Sequence, residues 1–63
     1  MQYQIIISND KEEVLSSQFF FDELPKDIEI IEMIEEDMGT KAEVVLLENN
    51  KFTKHLSTYE LIF

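Results

Sequence analysis

Few side chains in this sequence could do chemistry, and nearly all of those are carboxylates. There is one histidine, His55, and no cysteine. His55 lies between Lys54 and Leu56-Ser57, so nucleophilic catalysis would need a serine and an aspartate to converge on it in a pocket that so short a chain rarely forms. Acid–base work by paired carboxylates needs one of them in a dry site with a raised pKa; here they are crowded together and solvated. Asp10, Glu12 and Glu13, or Glu35, Glu36 and Asp37, do not follow the alternating ligand spacing of an EF-hand loop. Without cysteine there is no thiolate metal site. The expectation is a protein with no catalytic residues, no metal and no cofactor, and therefore a binder rather than an enzyme.

The carboxylates are concentrated. Between Asp22 and Asp37 stand Asp22, Glu23, Asp27, Glu29, Glu32, Glu35, Glu36 and Asp37 against a single cation, Lys26. Ile28, Ile30, Ile31, Ile34 and Met38 recur through the same stretch at helical spacing, so an ordered element presents the acids. Over the whole chain 14 acidic residues face 5 basic ones, for a formal net charge of −9. Every cation is a lysine; bidentate arginine contacts to phosphate are unavailable, and the field repels nucleic acid and anionic membranes. A basic partner is the natural complement, since opposite potentials speed encounter and disfavour other surfaces.

The rest of the chain must fold to hold this surface. Its 63 residues predict one domain, 1–63, with a small core. Hydrophobic residues at 44% and aromatics at 11% are enough to fold despite the charge. The absence of cysteine, of a basic segment after Met1 and of any long apolar run points to a cytoplasmic protein with no membrane span. Tyr3, Ile5 and Ile7 alternate with polar residues as in a half-buried strand, followed by a turn at Asn9–Glu12. For Val14–Phe21 two readings stand. Asp10 with Glu13 could open a helix bearing Leu15 and Phe19, while Ser16-Ser17 and three successive phenylalanines favour a strand pairing back as a hairpin; the hairpin is preferred.

Pro25 bounds a helix over Asp27–Met38, with Asp27 as N-cap or first-turn acid and Gly39 at the position of a C-cap glycine. On a helical wheel Ile30, Ile31, Ile34 and Met38 share one arc, Ile28 lies at its edge, and Glu29, Glu32 and Glu36 line the opposite side. Glu35, Glu36 and Asp37 in the last turn oppose the helix dipole, a local cost of a few tenths of a kcal/mol per charge. Ala42–Glu48 reads as an apolar strand, Asn49-Asn50 as a hairpin turn with Glu48 and Lys51 flanking it as an ion pair, and Phe52–Phe63 as a last strand bent near Ser57-Thr58. A helix with Phe52, Leu56, Tyr59 and Phe63 on one face is the alternative for that last segment.

The predicted fold class is α+β: a small ββαββ sandwich with a mostly antiparallel sheet and one acidic amphipathic helix on one face. The element order resembles that of β-grasp domains. The resemblance covers order alone: the C-terminal Gly-Gly of the conjugating and sulfur-carrier members is missing, Leu61-Ile62-Phe63 standing in its place, so it implies no family function. Phe19-Phe20-Phe21, Val44-Val45-Leu46-Leu47 and Leu61-Ile62-Phe63 place apolar side chains on both faces of their strands. One short helix covers one face, so the other, with Ile6, should remain an apolar patch suited to homodimerisation or partner docking.

Two functions follow as expectations. In the first, Glu29, Glu32 and Glu36, spanning roughly 10 Å along the helix, stand in for successive phosphates. A charged stripe is ordinarily just the wet side of an amphipathic helix, but acids also crowd the segment before this one. The chain then looks broadly like the small acidic inhibitors of phages and mobile elements, which mimic DNA to block the basic nucleic-acid-binding site of a host defence or DNA-processing protein. Its partner-binding residues would be Asp22, Glu23, Glu29, Glu32, Glu35, Glu36 and Asp37, with Phe20 or Met33 as the apolar anchor. In the second, the protein is a structural or regulatory module, a complex subunit or antitoxin-like partner, acting through the apolar sheet face.

Overall fold

A computed structural model describes residues 1–61 of the chain. Strands β1 (Gln2–Ser8) and β2 (Val14–Phe21) form a hairpin, helix α1 (Asp27–Glu36) follows, and β3 (Lys41–Glu48) and β4 (Lys51–Glu60) form a second hairpin. The fold is α+β, with the expected ββαββ order. All four strands lie in one sheet, ordered β2-β1-β3-β4, and every neighbouring pair is antiparallel. Both segments with a competing helical reading are strands. The expected continuation through Ile62 and Phe63 lies outside the described residues.

Local chemistry explains the turns. Asn9 Oδ1 accepts hydrogen bonds from the backbone N–H groups of Lys11 and Glu13, at 2.9 and 3.0 Å. This Asx-type bonding closes the first hairpin and pre-empts a helix start at Asp10. Asn49 and Asn50 both have positive φ, 52° and 64°, as a two-residue hairpin turn whose twist matches its strands requires. Glu48 and Lys51 pair across that turn, but they do not form the expected ion pair; the ion pair found among the described residues is Lys41–Glu43, at 3.3 Å along β3.

The helix lies against the two central strands. Ile5 and Ile7 of β1, Ala42 and Val44 of β3, and Ile30 and Ile34 of α1 are fully buried together, with Phe20, Leu24, Met33, Tyr59 and Leu61 packed around them. Each isoleucine and valine among them contributes about 1.5–3 kcal/mol by leaving water. The helical wheel is right for Ile30 and Ile34 and wrong at its edges. Ile31 is half-buried and Ile28 exposed, while Met38 falls beyond the helix with 86% of its surface in solvent.

The helix begins at Asp27 as expected and ends two residues early, at Glu36. Lys26 is the N-cap and makes no side-chain capping bond; Asp27 is a first-turn acid. At the other end, Gly39 N–H donates to Ile34 C=O and Met38 N–H to Glu35 C=O, the paired bonds of a Schellman motif. The left-handed residue in that motif is Met38, φ 58°, and not the glycine. Gly39 is small for another reason: a Cβ there would stand 2.7 Å from Ile7 Cγ2 and 3.0 Å from the Ser8 carbonyl oxygen. Strand β4 is bulged, its register with β3 slipping at Thr53 and at Leu56, the second bulge next to the expected bend near Ser57-Thr58.

Candidate binding surfaces

Two unlike surfaces result. On the helix side, Glu29, Glu32, Glu35 and Glu36 are all exposed, as are Asp22 and Glu23 on the connection from β2. None has a lysine within ion-pair distance among the described residues. Asp22 sits at positive φ, 66°, a conformation that aspartate tolerates better than most residues. Two further acids of the stretch are engaged by the fold. The Asp37 carboxylate accepts a hydrogen bond from Ser16 Oγ of β2. Asp27 Oδ1 accepts one from Tyr59 Oη at 2.7 Å. That bond holds the Tyr59 phenol above its ordinary pKa, burial adding to the effect and Ser57 opposing it. Phe20 and Met33, expected as anchors, are half-buried and packed against the core; the apolar side chains of the helix region that reach solvent are Ile28 and Met38.

The other surface is the sheet face turned away from the helix. Direct antiparallel partners point to the same side, so the register assigns it row by row. Phe21, Gln2, Leu47 and Phe52 form one row across the four strands, and Phe19, Gln4, Val45 and His55 the next. Ser17, Ile6, Glu43 and Thr58 form a third. The first two rows contain no acid. Phe19, Phe21 and Phe52 are 50%, 69% and 64% exposed, whereas Val45 and Leu47 between them are buried, without belonging to the core under the helix. A shallow hollow at this end is lined by Met1, Gln2, Phe21, Leu47, Glu48 and the Asn49-Asn50 turn.

The sequence indicates that such a face exists and includes Ile6, but not that phenylalanines of the two outer strands would frame it. Phe52 is the residue missed. Counting two residues back and forward from a two-residue turn at Asn49-Asn50 places it opposite Leu47, so the signal was present. His55 lies exposed on this face with Nε2 3.0 Å from Thr58 Oγ1, and its row contains no carboxylate. Among the described residues no three His, Asp or Glu side chains converge on a common point, and no helix is long and apolar enough to cross a membrane. Comparison with protein-family models, curated proteins and solved structures finds no match.

Proposed function

We propose that the protein is a small acidic, non-enzymatic binding protein of the cytoplasm that docks on its partner through the uncovered sheet face. The observation that carries this reading is the exposure of Phe19, Phe21 and Phe52 around the buried pair Val45 and Leu47. Aromatic side chains framing a desolvated centre are what a binding hot spot uses, and a monomer has little reason to hold them in water. A second copy of the chain is one occupant to which this face is open. The test is Phe52→Ser, whose side chain lies off the helix-covered core. Partner capture or, for the protein alone, dimer formation at micromolar concentration should fall with this substitution while the fold is retained. Undiminished binding removes the sheet face from consideration.

A second reading keeps the acidic inhibitor of a basic, nucleic-acid-binding protein, plausible for a phage-encoded anti-defence factor. It is supported by Glu29, Glu32, Glu35 and Glu36 standing exposed without cation partners. Replacing Glu29, Glu32 and Glu36 by glutamine preserves shape and helix propensity. Binding of such a target should weaken by about 1–3 kcal/mol, mostly through slower association and with a shallower salt dependence. DNA should compete for the target. Equal binding by the triple variant at low salt rejects this reading and leaves the sheet face.

A further inference from the structure

The two edges of the sheet are built differently. β4 is interrupted by two bulges and carries Lys51, Lys54, His55 and Glu60, the devices by which edge strands avoid further pairing. β2 has no charged residue from Val14 to Phe21, and its pairing with β1 runs without a slip from Ser16 to Phe21. Asp22 N–H donates to Met1 C=O and Asn9 N–H to Glu13 C=O. Antiparallel bonding alternates, so the groups of Ser16, Gln18 and Phe20 face β1 and those of Ser17 and Phe19 face outward, as does the Phe21 N–H, the Phe21 C=O accepting from Glu23 N–H at 2.7 Å. The exposed phenylalanines of the open sheet face thus stand on an unprotected edge.

Charge decides what can pair there. The edge is bracketed by Glu12 and Glu13 before it and by Asp22 and Glu23 after it, all exposed. A second copy pairing antiparallel through β2 would bring Glu12 and Glu13 of each chain against Asp22 and Glu23 of the other. Like charges opposed in this way disfavour the pairing. We infer that β2 receives an extended segment of a basic partner: a strand added to the sheet, apolar on the side next to Phe19 and Phe21, with lysines or arginines at both ends. The two acidic groups are about 30 Å apart along an extended chain, so the cations of the partner stand about eight to ten residues apart. Main-chain hydrogen bonds supply the docking, and the flanking charges select the partner and its position. This inference rests on the reading of the chain as a binding protein, but it uses the sheet edge in addition to the sheet face.

The probe is a synthetic peptide with two lysines at each end of an alternating valine–threonine core of about eight residues; a second peptide carries glutamates in place of the lysines. Amide hydrogen exchange is followed by NMR in the full chain. With the lysine-ended peptide, exchange at Ser17, Phe19 and Phe21 should slow by about tenfold or more, with β4 unchanged, and the glutamate-ended peptide should have no effect. Neutralising Glu12, Glu13, Asp22 and Glu23 to their amides should weaken the lysine-ended peptide by about tenfold. Ser17→Pro, which removes an outward donor, and Ser17→Lys, which keeps the strand but charges its edge, should both abolish the slowing. Protection on β4, equal effects of the two peptides, or self-association of the protein alone that Ser17→Lys removes would each overturn the inference. Phe52→Ser separates it from the sheet-face proposal, because that substitution disables the face and leaves exchange protection along β2 intact.

Discussion

Met38 holds a backbone conformation that resists side chains, while the neighbouring glycine holds an ordinary one in a crowded place. The pair makes opposite predictions for adjacent substitutions. Met38→Gly should stabilise the protein by about 0.5–1 kcal/mol, because glycine adopts the left-handed C′ position without strain and the exposed methionine side chain loses little packing. Gly39→Ala should destabilise it by about 1–3 kcal/mol, since the new methyl meets a buried isoleucine branch and a backbone oxygen, neither of which can swing aside. Chemical denaturation of the two variants reads both signs. A helix-ending glycine was legible at this point in the sequence, but its reason was not. Whether glycine supplies a positive φ or a missing Cβ depends on what stands opposite, here Ile7 and Ser8 from a strand over thirty residues earlier.

Elements were legible where their periodicity was clean and ambiguous where composition allowed two periods. β1 follows from alternation, β3 from a short continuous apolar run, and the Asn49-Asn50 turn from its two asparagines. β2 and β4 needed their partners, because Leu15 with Phe19 and Phe52 with Leu56 satisfy helical spacing as well as their strand positions do. The acidic stretch was likewise legible as a helix, but not the diversion of Asp37 to Ser16 and Asp27 to Tyr59. Burial on the helix separates neighbours that share an arc. Ile34→Ala should cost about 2–5 kcal/mol and half-buried Ile31→Ala distinctly less, a difference measurable by urea melts; equal losses would contradict the observed helix orientation. The Tyr59 to Asp27 bond ties β4 to the helix start. Its phenol has a raised pKa in the fold, so its contribution is complete below the unfolded value of about 10 and is lost as pH climbs through the folded value. Tyr59→Phe should therefore cost about 1 kcal/mol at neutral pH, and the gap to wild type should close in strongly alkaline solution.

The molecule separates the exposed acids of its helix from the exposed phenylalanines of its sheet. The uncompensated acids of the helix lie behind the sheet, and the two acid-free rows lie in front. A net charge of −9 on a chain of 63 residues works against the compact state through self-repulsion. Raising sodium chloride from about 20 mM to about 200 mM shortens the screening length from roughly 20 Å to roughly 7 Å. The melting temperature should rise over this range; a fall would show that attractive pairs dominate.

The unequal edges of the sheet also set a valence. Strand-by-strand assembly propagates only when a unit offers two competent edges, since each arrival must present a new one to the next. Among the described residues this chain offers one, β4 being closed by its bulges and lysines. Any association through backbone pairing therefore ends after a single addition, giving a complex of fixed stoichiometry in place of a fibre, however high the concentration and however exposed the phenylalanines along β2.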